Sequence, residues 1–233
     1  MKKVKVLTGY FPAFPAKHLN ETQFRQIGKK LIDAIPDQIR VFGDGYTLKD
    51  CWAHRFLAQN PELMPSDRNP APDRFASPQD MVASNITILQ RFKWLQLAAA
   101  AEPDVDMWVW LEYTICKQPG VTGPVIRKFL EDVAKYPVYS MSIPGCWDKG
   151  PVDDGTICWR FCGSAWVCPW TLVDPLLQAV QTVVQLRTKM TGTISWDVNT
   201  LAFVELMNVV PIRWYRGNHD ASQLTNYAEG LNA

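Results

Sequence analysis

Residues 106–114 read Asp-Met-Trp-Val-Trp-Leu-Glu-Tyr-Thr, and the middle of this run is apolar at every position. A strand that alternates apolar and polar residues has one wet face. A strand that is apolar throughout must be covered on both faces, which is the signature of a sheet sandwiched between helices. The run ends in a single carboxylate, Glu112, followed by Tyr113 and Thr114. In open α/β sheets ligands bind beyond the ends of the strands, so an acid at this place is either a site residue or the polar edge of a core strand.

The rest of the chain repeats that logic. Residues 3–10 alternate and are rich in Val and Leu, which predicts a first strand. Asn20 opens a helix, with Gln23 spaced for a capping box. Residues 38–42 form a second strand, and 48–59 a short helix. Residues 61–78 form a proline-rich loop. Ser77, Pro78 and Asp80 give a strong helix start, and that helix runs to about Ala101. Strand three covers 107–113. A helix starts at Thr122, and strand four covers 138–143. Residues 144–155 form a loop, and 156–167 one or two further strands. Helices follow over 171–190 and 198–209, the second capped by Asp197, and a last strand covers 212–215. Alternating strands and helices predict a single α/β domain over 1–233, a mostly parallel sheet flanked by helices, with a polar and less ordered tail over 217–233.

Composition narrows the function classes. The chain has 233 residues, 47% hydrophobic and 20% charged, with a net charge of +1. That balance gives no global field for nucleic acid or an anionic membrane. No apolar stretch is long enough to span a bilayer, and Met1-Lys2-Lys3 is not followed by a continuous apolar region. A soluble, cytoplasmic protein is the expectation. The six cysteines at 51, 116, 146, 158, 162 and 168 contain no CxxC pair and read as free, mostly buried thiols. The phosphate-binding P-loop, the GxGxxG turn, the GxSxG elbow and HExxH are all absent.

Three sets of residues remain. Glu112 and Thr114 are two apart on a strand and share a face, so both could reach one cation or one diphosphate. Asp197, in Ser195-Trp196-Asp197-Val198-Asn199, is a general base or a helix N-cap, and the two roles are compatible. His219, in Arg213-Trp214-Tyr215-Arg216-Gly217-Asn218-His219-Asp220, is a possible metal ligand beside two arginines suited to phosphate. His18 and His54 read as incidental.

The order of these pieces resembles a GT-A-type nucleotide-sugar glycosyltransferase domain. The pieces are Leu89-Gln90-Arg91-Phe92-Lys93-Trp94-Leu95, then Trp108-Val109-Trp110-Leu111-Glu112, Cys162-Gly163-Ser164, Trp196-Asp197-Val198-Asn199 and the segment ending at His219-Asp220. In particular the chain is similar to the HtrL/YibB family. The resemblance implies a nucleotide-sugar donor, an acceptor it does not specify, and Mn²⁺ or Mg²⁺ held by Glu112 and His219. Thr8 and Tyr10 would then line the base, Arg91 or Lys93 would face the diphosphate, and Gly163 and Asn199 would join the substrate-binding positions. Asp197 would be the acceptor-side catalytic acid. Glu112-Tyr113-Thr114 stands where such enzymes carry DxD, which leaves one carboxylate in place of two. The alternative is a non-catalytic nucleotide- or carbohydrate-binding domain, using a surface tryptophan such as Trp147 or Trp166.

Overall fold

The apolar run is strand β3 (Met107–Leu111), and all five of its residues are buried. Its neighbours explain why. The structure is a computed structural model describing residues 1–10, 20–63, 77–145 and 157–230. It holds a six-stranded sheet in which β3 lies between β1 (Val4–Gly9) and β5 (Ala165–Pro169). Outside β1 lies β2 (Ile39–Phe42). Outside β5 lie β4 (Met141–Gly145) and the edge strand β6 (Ile212–Arg216). Three pairings are parallel (β1 with β2, β1 with β3, β4 with β6) and two are antiparallel, both made by β5. The sheet is therefore mixed but mostly parallel, with β5 alone reversed.

Helices cover both faces. One core packs Leu7, Trp108, Trp110, Trp166 and Ile143 of the sheet against α2 (Trp52–Gln59), α3 (Pro78–Ala101), α5 (Val173–Thr191) and α6 (Asp197–Met207). The other packs Val6, Met107, Val109, Leu111 and Val167 against α1 (Glu21–Ala34), α4 (Gly123–Lys135), α7 (Ser222–Thr225) and α8 (Tyr227–Gly230). Successive residues of β3 thus point into different cores, as the period of a strand requires. Among the described residues no helix is long and apolar enough to cross a membrane. The five described cysteines are all free, and only Cys116 is not fully buried.

Local signals set the helix starts. Gln23 N–H donates to Asn20 Oδ1 and Asn20 N–H donates to Gln23 Oε1, both at 2.9 Å, which closes the capping box of α1. Asp80 N–H donates to Ser77 Oγ at 3.1 Å at the start of α3. Strand β4 runs two residues past the expected end and includes Pro144. It tolerates proline because β5 pairs with it only at Ser142, so no donor is needed at 144. The Pro144 carbonyl accepts from Cys162 N–H at 2.8 Å.

Of the one or two strands expected over 156–167, β5 begins at Ala165, and residues 157–164 are not regular strand. They form a strap whose one ladder contact is Phe161 with Gly145. The tail expected to be less ordered over 217–233 is packed over its described part, 217–230. There α7 and α8 bury Gln223, Leu224 and Tyr227, and Tyr227 Oη donates to the Tyr136 carbonyl at 3.0 Å. The polar composition of this segment hid three inward-facing residues.

Candidate functional site

Strand order fixes where a site can form. From β1 the chain crosses through α1 to β2 on one face, then returns through α2 and α3 to β3 on the other face. The connections leave the β1–β3 pair in opposite directions, and the C-terminal ends of two such strands are where open α/β sheets place a ligand crevice. Tyr10 leaves β1 there, and Glu112, Tyr113 and Thr114 leave β3. The Tyr10 and Tyr113 rings stack at 5.1 Å, and the Arg25 guanidinium lies 5.4 Å from the centre of the Tyr10 ring.

Reversal of β5 brings a second set to the same edge. Leu111 pairs with Ala165, so the strap reaches the sheet beside Glu112, and Glu112 N–H donates to the Ser164 carbonyl at 2.8 Å. Glu112 is half-buried, and its Oε1 accepts from Thr114 Oγ at 2.9 Å. Strand β3 ends at Leu111, so Glu112 and Thr114 do not share a strand face; they meet in the turn that follows, where the buried threonine positions the carboxylate.

Arg91 is the buried cation of this edge. It is 5% exposed, and its guanidinium lies 5.4 Å from the ring centres of both Phe92 and Trp110. Its Nη1 donates to the Gly163 carbonyl at 2.8 Å, and its Nη2 is paired with Asp197 Oδ2. Burial pulls the guanidinium down to about 9 while the charge of Glu112 opposes, so it stays a cation at neutral pH. Gly163 is part of the fit. A Cβ there would stand 2.7 Å from Asp197 Oδ2 and 2.8 Å from Val198 Cγ1, so only glycine lets the strap pass the pair.

The capping expectation for Asp197 is corrected. Trp196 is the N-cap of α6, and Asp197 is the first helical residue, with no side-chain cap in the helix. Its carboxylate goes to Arg91 because a buried guanidinium must be paired. Asn199, on the same helix turn, accepts from Cys158 N–H at 2.7 Å and holds the start of the strap.

His219 is half-buried, not exposed on a loose end. Its hydrogen bond with Cys162 raises it above its ordinary value, and the charges of Cys162, Glu112 and Asp220 push the same way against burial. The Cys162 Sγ also lies 3.3 Å from Ser164 Oγ and 3.5 Å from Gln223 Oε1. Ser164 Oγ donates to Gln223 Oε1 at 2.8 Å and accepts from Gln118 Nε2 at 3.0 Å. This buried network ties the strap to α7 and so sets where His219 stands. Sequence reading missed Gln118 and Gln223, since neither belongs to a motif and they are 105 positions apart.

Thr8 is fully buried on the sheet face it shares with Val4 and Val6, so it does not line the crevice. Lys93 bonds to Gln96, which donates to Asp174 at 2.7 Å near the start of α5, toward the opposite edge of the sheet. Arg213 donates to the Gly230 carbonyl. Trp166 is fully buried, 6.0 Å from Trp110 and 5.9 Å from Phe92 between ring centres, so it cannot be a surface platform. His18, Cys146 and Trp147 lie outside the described residues.

The donor set for a cation is thin. Glu112 and His219 share one edge, but among the described residues no three of His, Cys, Asp and Glu converge to hold a metal ion. Hard divalent cations want six or more oxygen ligands, and these side chains do not make such a site by themselves.

No family model and no curated protein matches the chain. Among solved structures it is similar to the crystal structure of a glycosyltransferase involved in the glycosylation of the major capsid of PBCV-1. Identity is 12%, the match covers 92% of this chain and 81% of that chain, and the TM-score is 0.49. None of these comparisons shows membership of the HtrL/YibB family.

Proposed function

We propose that the chain is a glycosyltransferase that moves a sugar from a nucleoside diphosphate sugar to an acceptor, working in the crevice at the ends of β1 and β3. The supporting observation is convergence. Glu112 from just past β3, Arg91 from α3, Gly163 from the strap, Asp197 from α6 and His219 from the loop between β6 and α7 all meet at one edge of the sheet. In this reading His219 offsets the charge that grows on the departing diphosphate, which is the electrostatic work a transfer site must do, while the buried Arg91 holds the strap through the Gly163 carbonyl. Glu112, held by Thr114, is the carboxylate closest to the reacting sugar, and Asp197 keeps Arg91 in place.

A second reading has an observation of its own. The Asp197 carboxylate is engaged by Arg91 and so is not free to act as a base, which suits a domain that binds the same ligand and does not turn it over.

A thermal-shift screen of UDP, GDP, CMP and their sugars, with and without Mn²⁺, separates these readings. A ligand that binds only the folded chain raises the melting temperature by mass action. The expected result is a shift specific to one nucleotide, reduced in Glu112→Gln, with nucleotide released from the matching sugar donor. Binding without release supports the second reading. No shift with any nucleotide at millimolar concentration removes both.

A further inference from the structure

The strap carries one residue that its own packing does not explain. On one side of Trp159, Cys158 N–H is held by Asn199 Oδ1. On the other, Arg160 is paired with Glu205, with Nη2 to Oε1 at 2.8 Å, and Phe161 is fully buried. The backbone is pinned at both ends, yet the indole between is 39% exposed. Two other described tryptophans are as exposed. Trp170 lies past the far end of β5, and Trp214 lies on the open edge strand β6. Of the three, Trp159 is the one in ring contact with His219.

Its surroundings are polar in a specific way. The indole stands at 90° to the His219 ring, with centres 5.1 Å apart. A T-shaped contact covers at most one face of the indole, and the residue keeps 39% of its surface exposed beside that imidazole. Glu112 is tied to the same strap, since its N–H donates to the Ser164 carbonyl at 2.8 Å and Ser164 Oγ lies 3.3 Å from Cys162 Sγ. A pyranose ring has the matching surface. Its C–H face is apolar with slightly positive hydrogens and suits the negative face of an indole, while its hydroxyl rim needs acceptors and donors such as carboxylate and imidazole. A rigid aromatic also adds contact area with little ordering cost.

We infer that Trp159, with His219 and Glu112 at its side, forms a subsite that stacks one pyranose ring of the substrate. The assignment rests on the reading of the crevice as a sugar-transfer site and adds the residue that recognises the sugar. The ring belongs to the donor or to the acceptor, and the two sources separate by experiment.

The test uses the full chain and its Trp159→Ala and Trp159→Phe variants, each checked for an unchanged melting curve. Calorimetric titration would use UDP, GDP, UDP-glucose, UDP-galactose, UDP-N-acetylglucosamine and GDP-mannose, beside an array of immobilised saccharides. Trp159→Ala should weaken a sugar-bearing ligand about tenfold, Trp159→Phe should retain most of the binding, and the bare nucleotides should be unaffected. A loss confined to nucleotide sugars assigns the ring to the donor, and a loss confined to the array assigns it to the acceptor. Sugar binding unchanged within about twofold in Trp159→Ala, or UDP and GDP weakened as much as their sugars, overturns the subsite. Saccharides bound through Trp159 with no nucleotide bound at all would keep the subsite and discard the transferase. Silence with every ligand discards both.

Discussion

Arg91 and Asp197 are the costliest residues at the edge of the sheet, because each is a charge taken out of water. A buried pair gains little over a well-packed apolar replacement, but removing one partner strands the other. Asp197→Leu alone and Arg91→Met alone should each destabilise the chain by about 3 to 5 kcal/mol in urea titration. The double variant Arg91→Met with Asp197→Leu should recover most of that loss. If the losses simply add, the two side chains do not act as a pair. Conserving stability is not conserving function, and the double variant should bind no nucleotide even though it folds.

Among the elements, α1 and α3 are the ones whose starts are set by neighbouring residues in the chain. Asn20→Ala removes one acceptor of a closed capping box and should cost about 1 kcal/mol in thermal or urea melting. Asn20→Ser, which keeps an acceptor, should cost a few tenths at most. A loss as large for serine as for alanine would mean that Asn20 matters for another contact. Helix α6 shows the opposite situation. Asp197 sits where a cap is expected by composition, yet the cap position is Trp196 and the carboxylate turns to Arg91. A local rule was overruled by a distant cation, since pairing a buried charge is worth more than one exposed N–H bond.

Across the whole molecule, closure depends on the last described residues. Tyr227 on α8 is fully buried, its ring edge-on to Phe129 at 5.4 Å and to Tyr215 at 5.8 Å, and Tyr215 Oη donates to the Gln223 carbonyl at 2.6 Å. Tyr227→Ala should therefore cost about 3 to 5 kcal/mol, as removal of a buried aromatic does elsewhere. A loss under about 1 kcal/mol would mean that the end of the chain is the loose tail its composition suggests. The same packing bears on the site, because α7 supplies Gln223 to the network around Cys162 that positions His219.

The sequence by itself determined the α/β class, the buried strand β3 with Glu112 at its end, and the starts of α1 and α3. These follow from periodicity and from capping contacts spanning three or four residues, which a linear reading can see. It also pointed to Asp197 and His219 one at a time, and the resemblance added Arg91 and Gly163. Only the tertiary structure decided that they share an edge, that Thr8 and Lys93 do not join them, that Trp166 is core, and that Trp159 is the exposed ring. Arg91 and Gly163 are 72 positions apart, and what joins them is the reversal of β5, a pairing choice no local pattern records. Which face a side chain meets is settled when the sheet order is settled, and sheet order is set by the burial of both faces at once.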